Sequence, residues 1–234
     1  MKTAAIVLSA GKGSRMKADI PKQFMDLNGH PVVWYSLKNF QESDVDDIIL
    51  VVPEEETETW DVRCRGEYGF DKVKAVVAGG KERFHSVFSG MSRLAEGQYD
   101  YVLIHDGARP MITKEQIDEM IRTVVEKQAC IFGMPVKDTI KCVDSEGKVY
   151  DTPDRSVLWQ IQTPQAFSFP KLWNAYQLLQ QSNQTAGITD DAMVWETWVR
   201  EPVFLMKGGY RNFKLTTPED YIFAKVSLQD NNKQ

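Results

Sequence analysis

The chemistry-bearing residues are densest in Ala4–Phe24, AAIVLSAGKGSRMKADIPKQF, where an apolar run opens into a glycine-punctuated loop with an arginine and a lysine close behind. Gly11 and Gly13 lack Cβ atoms, so the backbone of Ser9, Ala10 and the residues that follow can bring several N–H groups up to phosphate oxygens. Amides alone do not neutralise a triphosphate. Arg15 adds a planar fork with a permanent charge, and Lys22, stiffened by Pro21, adds a compact mobile one. Residues of these types at this spacing suit a nucleoside triphosphate. The glycines taken alone are also compatible with an ordinary strand-to-helix connection. They match neither the dinucleotide fingerprint, which needs a third glycine after a two-residue gap, nor the phosphate loop that ends in Gly-Lys-Ser/Thr.

A second group lies far along the chain. Asp106 and Arg109, in Asp106-Gly107-Ala108-Arg109-Pro110, follow an apolar run and so stand where the carboxyl ends of strands present ligand sites in an open α/β sheet. His105 ends that run and reads as a packed histidine. Gly79-Gly80-Lys81-Glu82-Arg83 forms another strand-to-glycine-to-helix junction.

The elements that must position these groups alternate. Strands are expected at Ala4–Leu8, Asp47–Val52, Val73–Ala78, Tyr99–His105 and Ala129–Val136, because runs this apolar and branched suit strands buried on both faces. Helices are expected at Pro31–Phe40, from Glu54–Glu58 onward, at Phe84–Ala95 and at Lys114–Lys127. This predicts an α/β, Rossmann-like fold with a mostly parallel sheet flanked by helices. Thr139–Val143 and Lys148–Thr152, joined by Asp144-Ser145-Glu146-Gly147, read instead as a protruding β-hairpin. So polar a hairpin has little core of its own, and packing on a second subunit or a loose surface loop are both open readings. The pattern then gives a strand at Ser156–Thr163, a helix at Phe169–Gln181, and a helix through Val199 capped by Thr189-Asp190-Asp191. Strands at Val203–Met206 and Phe213–Thr216 and a last helix from Thr217-Pro218 complete it.

The 234 residues fit one domain over 1–228, with an arm at about 137–155 and a polar tail at Gln229–Gln234. A formal net charge of −5 argues against nucleic acid or an anionic membrane as partner, so a phosphate site must be a local cationic pocket. Cys64, Cys130 and Cys142 are odd in number and scattered, which suits reduced thiols. With neither a leader nor a membrane-length apolar run expected, the sequence predicts a cytoplasmic protein.

Seven separated stretches then agree on a family. LSAGKGSRM with PKQF, GGKERFHSV, IHDGARP, PVKDTIK, TPDRSVLWQIQTPQAF, ITDDA and NFKLTTPED resemble, in order and over nearly the whole chain, the 2-C-methyl-D-erythritol 4-phosphate cytidylyltransferases. The resemblance implies attack by the phosphate of methylerythritol phosphate on the α-phosphorus of CTP, with Mg²⁺ or another divalent cation held at Asp106. It implies Arg15, Lys22, Arg155 and Lys214 as the catalytic cations. Ser9, Ala10, Gly11, Gly13, Gly80, Ser86, Asp106 and Gly107 would line the CTP side. Asp106, Arg109, Thr139, Arg155, Thr163, Thr189 and Lys214 would face the second substrate. It further implies a homodimer that exchanges its arms, so that Thr139 and Arg155 act across the interface. Three positions depart from the family pattern: Ser9 and Gly107, where alanine is common, and Lys81, where a smaller or acidic residue is frequent. Ribitol 5-phosphate cytidylyltransferase shares the nucleotide half and is the nearest rival; a silent nucleotide-binding module is the rival from another class.

Overall fold

The computed structural model describes residues 1–11, 20–182 and 187–231. Besides a short antiparallel pair at Asp26–Leu27 and His30–Pro31, the strands in chain order are β1 (Thr3–Leu8), β2 (Asp47–Val52), β3 (Val73–Ala78), β4 (Tyr101–Asp106), β5 (Ala129–Pro135), β6 (Cys142–Val143), β7 (Val149–Asp151), β8 (Trp159–Ser168) and β9 (Phe204–Lys207). The helices are α1 (Val32–Glu42), α2 (Thr57–Val62), α3 (Arg83–Leu94), α4 (Lys114–Lys127), α5 (Phe169–Gln181), α6 (Asp191–Val194) and α7 (Pro218–Asn231). The described residues form one seven-stranded sheet, ordered β9-β5-β8-β4-β1-β2-β3. Every neighbouring pair is parallel except those of β8, which runs antiparallel to both β4 and β5.

Alternation along each strand divides the apolar side chains between two layers. Ala5 and Val7 of β1 pack with Leu37 and Phe40 of α1 and with Met120 and Val124 of α4. Ala4 and Ile6 face the other way, against Val87 and Met91 of α3 and Leu172 of α5. Each such leucine or valine, withdrawn from water, contributes about 1.5–3 kcal/mol before entropy is charged against it. With a covered layer on each face, the carboxyl ends of β1 and β4 remain as the place where polar groups gather.

Most expected elements stand within a residue or two of their predicted bounds, with four differences. Arg155–Val157 is a single 3₁₀ turn, and the strand expected from Ser156 begins at Trp159 and runs on to Ser168. Phe213–Thr216 forms no strand: Leu215 N–H bonds Ala108 O at 2.8 Å, while the N–H groups of Thr216 and Thr217 go to the Asp220 carboxylate, so no ladder partner is used. The first strand of the hairpin is shorter than expected, Cys142–Val143 instead of Thr139–Val143; the capped helix stands as expected, with Asp190 on Met193 N at 3.0 Å and Asp191 buried in its first turn. Gln229, assigned to the polar tail, lies within α7. The hairpin is present as β6 and β7, its turn held by Asp144 Oδ1 on the N–H groups of Glu146 and Lys148, both at 2.9 Å, and Val143, Val149 and Tyr150 are exposed on it.

Candidate active site

A cleft opens above the ends of β1 and β4, of about 370 Å³, which is the scale of a small-molecule site. Ser9, Ala10 and Gly11 form one wall. Their path is held by a residue that the sequence reading passed over: Gln23 is buried and its Nε2 donates to Ser9 O at 2.6 Å and to Gly11 O at 2.9 Å. Lys22, beside it in the turn Lys22–Phe24, also lines the cleft. Opposite stand Gly80 and Ser86, joined by Gly80 N–H to Ser86 Oγ at 3.1 Å. A Cβ at Gly79 would lie 2.2 Å from Ala10 Cβ, so the two glycine loops approach with no room for a side chain there. Gly13 and Arg15 lie outside the described residues.

Two departures from the family pattern turn out to be linked. A Cβ on Gly107 would come 2.2 Å from Ser9 Oγ, 3.0 Å from Val33 Cγ2 and 3.1 Å from Leu8 O. The Ser9 hydroxyl thus takes up space that an alanine at 107 would need. That hydroxyl is buried and has no hydrogen-bond partner among the described residues. Gly107→Ala should therefore cost about 1–3 kcal/mol of stability by overpacking. Ser9→Ala with Gly107→Ala should recover more than half of it, as read from chemical denaturation of both variants beside the wild type. Equal loss in the single and double variants would break the link.

The floor of the cleft is Asp106, the last residue of β4. Lys214 Nζ lies 2.9 Å from its Oδ2, Arg109 Nε 3.7 Å from the same oxygen, and Arg83 Nε 3.4 Å from Oδ1. Burial alone would raise the Asp106 pKa, but Lys214, Arg83 and Arg109 together hold it far below the usual carboxylate range. The backbone that carries the carboxylate is fixed from behind, for Asp106 N–H donates to Thr163 Oγ1 at 3.0 Å. Thr163 sits where the register of β8 shifts between Ile161 and Gln165, and Asn212 Nδ2 donates to its carbonyl at 2.8 Å. His105 is packed rather than catalytic: it is fully buried, its pKa lowered to about 3 by burial, and its ring nitrogens face Thr163 Oγ1 at 3.2 Å and Arg109 O at 3.3 Å.

The other expected residues are elsewhere. Thr139 and Arg155 are exposed at the base of the hairpin, where an Arg155 guanidinium N–H donates to Lys137 O at 2.6 Å. Thr189 is exposed and its hydroxyl turns to Met193 Sδ at 3.0 Å. Among the described residues no group of three or more His, Cys, Asp or Glu side chains could hold a metal. Arg83 and Asp191 were not assigned from sequence, yet an Arg83 NH2 donates to Asp191 Oδ2 at 2.7 Å across 108 residues of chain.

Comparison with known proteins agrees with this geometry. The sequence model of one family, described as IspD: 2-C-methyl-D-erythritol 4-phosphate cytidylyltransferase, matches residues 3–230. A relative of that name from Lachnoclostridium phytofermentans is 48% identical over 98% of this chain and 97% of its own. Another, from Lachnospira eligens, is 48% identical over 96% and 98%. Among solved structures, the 4-diphosphocytidyl-2C-methyl-D-erythritol synthase of Anaerococcus prevotii superposes with a TM-score of 0.83 at 31% identity, covering 97% of this chain and 98% of that one. The Francisella tularensis 2-C-methyl-D-erythritol 4-phosphate cytidylyltransferase gives 0.81 at 28% identity, over 97% and 99%. A cleft walled by Ser9–Gly11 after β1, a carboxylate ringed by cations after β4, and likeness along the whole chain all agree: it belongs to the 2-C-methyl-D-erythritol 4-phosphate cytidylyltransferase family.

Proposed function

We propose that this chain joins CTP to 2-C-methyl-D-erythritol 4-phosphate, giving the CDP-linked methylerythritol and pyrophosphate, a step of non-mevalonate isoprenoid synthesis. The observation that carries the reading is the shared cleft of Lys22, the Ser9–Gly11 loop, Asp106 and Lys214. An acceptor phosphate is already anionic at neutral pH, so the reaction needs no general base. Its oxygen forms a bond to the α-phosphorus of CTP as the bond from that phosphorus to the bridging oxygen breaks, and pyrophosphate carries the electron pair away. What remains for the protein is positioning and neutralisation.

In this reading the backbone of Ser9, Ala10, Gly11 and Gly13 cradles the triphosphate, and Gly80, Ser86 and Gly107 flank the nucleoside. Arg15 and Lys22 neutralise charge as pyrophosphate leaves. Arg109, Thr163 and Thr189 hold the acceptor, and Lys214 orients its phosphate. Thr139 and Arg155 come from the neighbouring subunit of a homodimer with exchanged arms. Their exposure at the hairpin base, and the exposed Val149 and Tyr150 beyond them, support that arrangement. A divalent cation such as Mg²⁺ takes most of its ligands from phosphates and water and needs only one or two carboxylates from the protein. Asp106 would hold it, and it would supply positive charge to the triphosphate oxygens. The three unpaired cysteines suit a reducing cytoplasm.

The test is pyrophosphate release from CTP and Mg²⁺ with methylerythritol phosphate and ribitol 5-phosphate in parallel. Release with the first acceptor alone is expected. Release with ribitol 5-phosphate would move the specificity, and release with neither from folded, CTP-binding protein would leave only a binding module.

A further inference from the structure

Lys214 is asked to do two things. In this structure it is the nearest counter-ion of Asp106, at 2.9 Å, and in the reaction it orients the acceptor phosphate. One ammonium does not serve two anions at full strength. When Lys214 turns to the phosphate, Asp106 Oδ2 loses its shortest side-chain contact, and the direction of this carboxylate, whose side chain is 11% exposed, is then set by the groups that remain on it. Arg109 stays on the same oxygen, but at 3.7 Å, and its NH1 is engaged with Asn212 O at 2.8 Å.

Arg83 addresses the other oxygen, and its anchor is a side chain of the protein itself. It is the first residue of α3, immediately after the loop that carries Gly80. Its NH2 is anchored on Asp191 Oδ2 at 2.7 Å. Asp191 is fully buried, and its Oδ1 accepts the Tyr176 hydroxyl at 2.6 Å. The N–H groups of Asp191 and Ala192 rest on Gln165 Oε1 at 3.0 and 3.1 Å. A guanidinium fork pinned on one side by a buried anion offers its remaining edge in a fixed direction, as a lysine could not. Burial would lower the Arg83 pKa, but Asp191 and Asp106 more than offset it, so the fork stays charged.

We propose that Arg83 is a positioning residue of this site, keeping the Asp106 carboxylate neutralised and aimed while Lys214 moves to the acceptor phosphate. The arrangement follows a general rule of such sites, in which the groups behind a ligating carboxylate set its direction. The inference rests on the roles given above to Asp106 and Lys214.

The test uses the full chain with Arg83→Lys, Arg83→Gln and Asp106→Asn, and with Leu172→Ala as a destabilised control whose side chain lies in the α5 core. Turnover, KM for both substrates, equilibrium CTP binding and thermal midpoint are measured for each. Arg83→Gln should lower kcat about 100-fold, the scale of losing one preorganised charged donor, with CTP affinity kept within about threefold. Arg83→Lys should regain about tenfold of that loss, because it restores the charge without the fork. Leu172→Ala should lose thermal midpoint and keep kcat. If Arg83→Gln keeps its kcat, if its kcat falls only as far as its lost stability accounts for, or if Arg83→Lys is no better, Arg83 is a structural cross-link and the inference fails. Full activity in Asp106→Asn sinks both this inference and the site reading, whereas an inactive Asp106→Asn beside a fully active Arg83→Gln sinks this inference alone.

Discussion

Replacing Lys22 with alanine is expected to cut kcat by about 10²–10³-fold, the range found when a preorganised donor to developing charge is removed. CTP affinity should fall by less than about tenfold, since a contact that strengthens as pyrophosphate separates acts on the transition state more than on the bound nucleotide. The geometry sharpens the contrast. Lys22 opens a one-turn helix behind Pro21, and the neighbouring Gln23 ties that turn to Ser9 O and Gly11 O. Removing the Lys22 side chain therefore deletes a charge and leaves the wall of the cleft in place. Single-turnover rates beside equilibrium CTP binding separate the two effects. Losses of equal size in both would mean that Lys22 serves binding alone.

The second large effect comes from mixing two inactive proteins. Lys22 lines the cleft of its own chain, while Arg155 stands outside it at the hairpin base. If the proposed arm exchange holds, each site takes its Lys22 from one chain and its Arg155 from the other. Lys22→Ala and Arg155→Ala homodimers should each be nearly inactive. After full exchange at equal amounts about half the dimers are mixed, each with one intact and one doubly defective site, so activity should return to about a quarter of wild type. Mass spectrometry of differently tagged subunits shows that exchange has happened. Continued silence after proven exchange would place Arg155 in its own chain's site or in none.

The parallel half of the fold was legible because strands covered on both faces must be apolar without interruption, as in DIILVV, and such runs announce themselves. The glycine loop, Asp106 and Lys214 were legible as well, since their residue types and order match a family pattern. The direction of β8 was not. A strand inserted antiparallel between two parallel ones carries no periodicity of its own, and only pairing with β4 and β5 distinguishes it. Phe213–Thr216 misled for a related reason: an apolar and branched segment can bury Leu215 on the loop after β4 without joining a ladder. Arg83 and Asp191 were hidden by distance along the chain. Each looked like a helix-end charge, and only the fold brings them together. Gln23 was hidden by its chemistry, because an amide gives no hint in sequence that both its bonds go to a neighbouring loop.

The contact between Ser9 and the space above Gly107 also has a historical side. Suppose an ancestor with alanine at both positions, as is common in the family. Gaining the hydroxyl first would press it against the methyl group at 107, and the intermediate would carry the clash. Losing that methyl first opens the room the hydroxyl now fills. Of the two routes from one pair to the other, the path through glycine is the one that avoids this contact, and a hydroxyl once settled in that room opposes the return step to alanine.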